Sequence, residues 1–237
     1  MPGHDIIVVG ASAGGVKALV TVVRSLPKDL PATIFMVLHI PAEVPSVLPD
    51  ILSRSGPLVA VHAVDGAAIE YGQIYVAPPD HHLLVERGKM RVVRGPRENR
   101  SRPAVDPLFR SAASAYGPRV VGVVLTGALD DGTAGLLAVK RRGGVAIVQD
   151  PDEALYPGMP ASAVTSVAID YILPLSDIGP LLVRLANRQA KEETAYSVSK
   201  DVEMETKMAE MDLDALNSEE KVGSHFVCLL VREHPSI

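Results

Sequence analysis

The chain has 237 residues, 47% of them hydrophobic and 22% charged, which suits one domain, or one domain with a tail, carrying a core that needs no staple. A lone cysteine, Cys228, excludes a disulfide framework and a multi-cysteine zinc site within one chain. The formal net charge of −5 resides at the end of the chain: residues 1–189 carry 18 Lys/Arg against 17 Asp/Glu, and residues 190–221 carry 4 against 10.

In chain order, Asp5–Val9 is a short β-branched run suited to a strand buried on both faces, and Gly10–Gly15 breaks it. Val16–Leu26 has helical spacing and stops at Pro27; Thr33–Leu38 is the next strand, and Pro45–Ser55 a helix ending at Gly56. Val59–Val64 and Gln73–Ala77 read as strands. His82–Val85 and Met90–Val93 flank Glu86-Arg87-Gly88-Lys89 as a hairpin. Asp106-Pro107 reads as an N-cap with proline at the first helical position, opening a helix to Tyr116. Strands over 119–125, 145–148 and 168–172 then alternate with helices over 133–142 and 161–167. Ser176-Asp177 caps a closing helix that runs to about Gln189. The alternation predicts an α/β fold: a doubly wound, mostly parallel sheet with helices on both faces and an antiparallel hairpin insertion. The pattern fails from Ala190, so the expected division is a domain over 1–189 and an acidic, mobile tail over 190–237.

No apolar run approaches the ~18 residues of a membrane span, and the first five residues carry no signal-peptide pattern. A cytoplasmic protein without membrane insertion is expected. Nine aromatic residues make a poor base-stacking surface, so nucleic acid is not expected as a partner.

The strongest local feature is Gly10-Ala11-Ser12-Ala13-Gly14-Gly15, directly after the first strand. It satisfies G-x-S-x-G, in which small residues let the chain turn sharply and hold a serine hydroxyl above the sheet edge. The Ala13 amide, opening the following helix, is the natural first oxyanion donor. A protonated serine hydroxyl is barely nucleophilic and needs a base. His39 ends the second strand at the same carboxyl edge, and Asp130 and Asp131, after the strand over 119–125, supply two carboxylates to orient it. A glycine-rich turn also serves phosphate cradles, and Asp-Gly also serves as a helix cap. The pattern by itself leaves those alternatives open.

The segments IIVVGASAGG at 6–15, LHIP at 38–41, IYVAPPDHHLLV at 74–85, NRSRPAVDPLFRSAA at 99–113, LTGALDDGTAGL at 125–136 and PGMPASA at 157–163 together resemble the catalytic domain of CheB-type protein-glutamate methylesterases, which modify chemotaxis receptors. The resemblance runs in order through residues 5–188 and implies a serine hydrolase acting on methylated glutamates of receptor cytoplasmic helices, with receptor glutamine deamidation in some members. It implies Ser12 as nucleophile, His39 as base, Asp131 as its carboxylate partner, and the Ala13 and Ala128 amides as oxyanion donors. No cofactor or metal is implied. The family commonly reads Gly-Met-Gly-x-Asp-Gly where this chain has Gly127-Ala128-Leu129-Asp130-Asp131-Gly132. Leu129 in place of glycine is expected to alter the loop, because glycine alone reaches positive φ cheaply. The chain starts at the family's first catalytic strand, so a stand-alone form is expected, without the phosphorylatable receiver domain and with an unspecified regulator in trans.

Residues 87–110 hold eight arginines and lysines against Glu98 and Asp106, which reads either as a solvated hairpin face or as a basic rim attracting a glutamate-rich receptor helix. Adjacent His81 and His82 on a strand point to opposite faces, so at most one could join Asp80 on a metal. The acidic tail reads as a solvated linker or as a mask for the basic segment. Cys228 is followed by Leu-Leu-Val, which cannot continue a zinc ribbon. Two other classes compete. A short-chain dehydrogenase is suggested by Tyr196-x-x-x-Lys200, but the first turn lacks G-x-G-x-x-G and His39 stands where a ribose-binding carboxylate belongs. A receptor-binding module of the same fold without turnover is suggested by the altered loop at Ala128 and Leu129.

Overall fold

The structure, a computed structural model, describes residues 3–190. Nine strands are present: β1 (Ile6–Ala11), β2 (Thr33–Leu38), β3 (Val59–His62), β4 (Gln73–Val76), β5 (His82–Glu86), β6 (Lys89–Val93), β7 (Val120–Val124), β8 (Val145–Gln149) and β9 (Tyr171–Leu173). Six α-helices of the described residues alternate with them: α1 (Gly15–Arg24), α2 (Leu48–Ser55), α3 (Val105–Tyr116), α4 (Thr133–Arg141), α5 (Gly158–Ser166) and α6 (Leu175–Ala186).

Seven strands form one wholly parallel sheet in the order β3-β4-β2-β1-β7-β8-β9. The central strands are apolar throughout because both faces are covered. In β1, Ile7, Val9 and Ala11 enter the core beneath α1, α2 and α6, while Ile6 and Val8 enter the opposite core beneath α3, α4 and α5. Phe35 and Val37 of β2 join that second core, and Phe35 stacks on Tyr75 with ring centroids 5.6 Å apart. The doubly wound reading holds. So does the antiparallel hairpin insertion: β5 and β6 form a separate two-stranded sheet packed on α3.

The starts of α3 and α6 depart from the sequence reading for a common reason. Asp106 is not the cap of α3, which begins at Val105 after Ala104. Its first amides are bound instead by the Asp131 carboxylate, from a loop 25 and 26 residues on. Ser176 and Asp177 do not cap α6, which begins at Leu175; the Leu175 N–H donates to Glu153 from the β8–α5 loop at 2.8 Å. That helix ends at Ala186, and α2 and α5 begin at Leu48 and Gly158. Residues 191–237, with most of the expected acidic tail, the Tyr196–Lys200 pattern and Cys228, lie outside the described residues.

The chain runs outward in both directions from β1, with β2 on one side and β7 on the other. A ligand crevice belongs at the carboxyl ends of the strands at such a switch point. Gly10, the penultimate residue of β1, lets α3 approach: a methyl group there would overlap the Val105 side chain. Gly10→Ala is therefore expected to overpack the β1–α3 contact and lower stability by about 1–3 kcal/mol in urea unfolding. An unchanged midpoint would contradict this packing.

Candidate active site

Ser12, His39 and Asp131 follow β1, β2 and β7, the three neighbouring central strands, and meet at their carboxyl edge. The Ser12 amide donates to Thr126 O at 3.0 Å, tying the turn after β1 to the loop after β7. The His39 amide donates to Ala11 O at 3.2 Å, so His39 extends the β1–β2 pairing by one residue before its side chain turns into the site.

His39 Nδ1 lies 3.1 Å from Ser12 Oγ, and His39 Nε2 lies 2.7 Å from Asp131 Oδ2. A carboxylate accepts only, so it fixes the ring proton on Nε2 and leaves the Nδ1 lone pair facing the serine hydroxyl. The ring is turned relative to chymotrypsin-type triads, where Nε2 meets the serine. Asp131 is almost fully buried, with its side chain 2% exposed, and His39 is partly open at 18%. Asp130, the other candidate carboxylate, is exposed.

Each Asp131 oxygen is doubly engaged. Oδ2 accepts from His39 Nε2 and from the Val105 N–H at 2.7 Å; Oδ1 accepts from Asn99 Nδ2 at 2.7 Å and from the Asp106 N–H at 3.1 Å. Burial alone would raise the Asp131 carboxyl, but the hydrogen bonds from His39, Val105 and Asn99 outweigh it and hold its pKa below the ordinary carboxylate value. The two backbone donors are the first amides of α3, so the helix dipole also favours the anion. Sequence reasoning missed Asn99, and took Asp106 for a cap. Both stand in the quoted segment NRSRPAVDPLFRSAA, yet their partner is 25 to 32 residues away.

The amides of Ala13 and Ala128 donate no hydrogen bond among the described residues. Their directions are set by the carbonyls on the other side of each peptide. Ser12 O accepts from Gly15 N at 2.8 Å and Gly127 O from Met159 N at 2.9 Å, and in a trans peptide the N–H points the opposite way. Gly127 sits against Ser12 so closely that a methyl group would overlap Ser12 Cβ and Met159. The 127–128 peptide is thereby held beside the serine. Thr126 braces it: its amide donates to Gln149 Oε1 at 2.9 Å, and its Oγ1 accepts from the Tyr156 N–H at 2.9 Å.

The residues noted for other roles are occupied structurally. Asp80 is bound by Arg94 at 2.8 Å and Arg102 at 2.6 Å, His81 Nδ1 meets Pro79 O, and His82 bridges Pro96 O and the Ala104 N–H. Among the described residues no cluster of three His, Cys, Asp or Glu is placed to hold a metal ion. Most of the basic segment is also spent internally: Arg91 on Asp65 and Glu86, Lys89 on Glu86, Arg110 on Glu98. Arg97 and Arg100 are exposed and form no ion pair among the described residues; they stand two residues before and one residue after Asn99 in the chain.

Leu129 stands at φ 65°, the left-handed region that glycine reaches cheaply, and the residue is 62% exposed. A bulky L-residue there costs ~1–2 kcal/mol. Leu129→Gly is expected to raise stability by ~0.5–1 kcal/mol in urea unfolding, against the usual sign for a change to glycine. A loss of that size would contradict the strain.

Comparison with known proteins follows the same lines. A family model described as CheB methylesterase matches residues 7–182. A protein of Leptospira interrogans is 40% identical over 183 residues, which are 77% of this chain and 95% of that relative. One from Paramagnetospirillum magneticum, named protein-glutamate methylesterase/protein-glutamine glutaminase 1, is 40% identical over 190 residues; the match covers 78% of this chain and 50% of that longer protein. The crystal structure of the Thermotoga maritima CheB methylesterase catalytic domain superposes with a TM-score of 0.73 at 35% identity, covering 76% of this chain and 98% of that one. With the parallel sheet and the residues at its carboxyl edge, these matches show that the chain belongs to the CheB methylesterase family.

Proposed function

We propose that this protein is a serine hydrolase that removes methyl groups from glutamate methyl esters on the cytoplasmic helices of chemosensory receptors, and that it deamidates receptor glutamines by the same chemistry. The observation that carries the reading is the continuous chain Ser12 Oγ–His39–Asp131 with bonds of 3.1 and 2.7 Å. A dehydrogenase has no such need, and His39 occupies the strand end where a nucleotide ribose would require a carboxylate.

In this account Ser12 Oγ attacks the ester carbonyl while His39 Nδ1 takes its proton. Asp131 keeps the imidazole in the required tautomer and faces the positive charge that forms on it. General-base assistance of this kind contributes ~10²–10⁴-fold. The carbonyl oxygen becomes an oxyanion facing the Ala13 and Ala128 amides, each worth roughly 2.7–4 kcal/mol. The intermediate collapses as the imidazolium returns the proton to the leaving oxygen, and methanol departs. Water then attacks the glutamyl-serine ester, with His39 again as base, to release glutamate and free Ser12. With a glutamine side chain, ammonia leaves instead.

The outward charge supports an acidic partner. After the internal ion pairs are counted, Arg97 and Arg100 remain exposed in the loop that carries Asn99. Exposed charges of this kind steer association and are screened beyond about 8 Å at physiological ionic strength. No helix of the described residues is long and apolar enough to cross a membrane, so the protein meets the receptor from the aqueous side in this reading.

Two measurements test it. Ser12→Ala is expected to abolish methanol release from methylated receptor membranes while the circular dichroism spectrum stays as in wild type; turnover at the wild-type rate would remove the nucleophile. Wild-type kcat/KM on receptor is expected to fall with added salt, and the Arg97→Ala/Arg100→Ala double variant to start lower and fall less. Equal salt slopes would remove these arginines from recognition.

A further inference from the structure

Beside the Ser12–His39–Asp131 chain lies a second carboxyl group that the reaction above does not use. Asp106 is 5% exposed on the first turn of α3. The Asn99 side-chain amide stands between it and Asp131, with Nδ2 2.8 Å from Asp106 Oδ2 and 2.7 Å from Asp131 Oδ1. A primary amide has two N–H bonds, so this one spends both on the two carboxyl groups. The other Asp106 oxygen accepts the Gly135 N–H of α4 at 2.6 Å. Four segments therefore converge: the loop carrying Asn99, the start of α3, the β7–α4 loop and α4.

We propose that Asn99 and Asp106 are positioning residues of the hydrolase, acting on His39 through Asp131: the Asn99 amide locks the Asp131 rotamer, and the Asp106 carboxyl adds a titratable charge behind it. The proposal rests on the hydrolase reading above for its catalytic consequence.

The surroundings of Asp106 set the direction of the effect. The charged groups near it are Asp131 from the β7–α4 loop and Arg110 one turn along α3, itself paired with Glu98. The loop at Asn99 and the start of α4 each give it a neutral N–H donor. Nearby His82 is spent between Pro96 O and the Ala104 N–H. Burial, reinforced by the Asp131 charge, pushes the Asp106 carboxyl up to about 7. One proton thus resides on Asp106 at lower pH while Asp131 stays ionised. As pH rises and Asp106 ionises, a second negative charge stands behind Asp131, and the imidazolium form of His39 is favoured. Removing that charge acts in the opposite sense.

The test compares wild type, Asn99→Gly and Asp106→Asn, with Ser12→Ala as the blank. Methanol release from methylated receptor membranes is followed across pH, and the His39 imidazole is titrated by NMR without substrate. Asn99 stands at φ 48°, a conformation glycine adopts freely, so Asn99→Gly removes the amide without straining the backbone. It is expected to lower kcat about tenfold or more with KM within about twofold, the mark of misplaced chemistry and intact binding. Asp106→Asn is expected to move the acid limb of the rate profile and the His39 titration together to lower pH. A residue that only fills space would lower the plateau and leave both midpoints in place. An unmoved His39 titration in Asp106→Asn, or an Asn99→Gly kcat within twofold of wild type, overturns the inference. If wild type released no more methanol than Ser12→Ala, the hydrolase reading would fail instead, and the substrate-free titration would still decide the coupling of Asp106 to His39.

Discussion

A single buried anion organises this molecule. The Asp131 carboxylate is held almost out of water by four donors from three stretches of chain: His39 after β2, Asn99 in the loop before α3, and the first two amides of α3. A buried charge without such partners costs several kcal/mol, and with them it becomes a cross-link. It caps α3, orients the imidazole and fixes the loop that carries Arg97 and Arg100. Stability and chemistry draw on the same bonds here. A change at Asp131 strands the α3 amides and the imidazole N–H together, so its effects on folding and on turnover cannot be separated as those at Ser12 can.

The sheet supplies the frame for that cross-link. β1 lies between β2 and β7 in parallel register, which brings the three side chains to one edge although they are 27 and 92 residues apart along the chain. Loops then hold what the strands bring near. Thr126, Gln149 and Tyr156 brace the 126–129 turn, and the Ser12–Ala13 and Gly127–Ala128 peptides are oriented by hydrogen bonds to their carbonyls. In the proposed hydrolase the donors to a developing oxyanion would thus be backbone groups fixed before any substrate arrives, the arrangement in which electrostatic stabilisation is strongest. Leu129 fits the same logic. Its left-handed conformation is retained at a cost, as is common where a loop must hold functional geometry.

Much of this was legible in the sequence. The continuous apolar runs gave the central strands to within a residue or two, because a strand covered on both faces has nothing polar to hide. Ser12 and His39 were readable from a glycine-flanked serine and a histidine at a strand end, and the family resemblance selected Asp131 over Asp130. Helix starts were less legible. The rule that looks for a cap in the adjacent residues failed at α3 and α6, where the carboxylates of Asp131 and Glu153 come from distant loops. Asn99 and Asp106 were hidden for the same reason: their meaning lies in a partner that only the fold brings near. Counting charges within the segment also overstated the basic rim, since Asp65, Asp80 and Glu86 from outside it neutralise several of its cations.

The central claim is that Ser12 is activated by His39 and Asp131. The most direct measurement is reaction with a fluorophosphonate probe, followed by mass-spectrometric mapping of the labelled peptide. The account predicts one adduct, on the peptide carrying Ser12, forming rapidly in wild type and at least about a hundredfold more slowly in His39→Ala. A folded wild-type protein that resists the probe, or labelling at Ser12 that is indifferent to His39, would contradict it and favour a receptor-binding module without turnover.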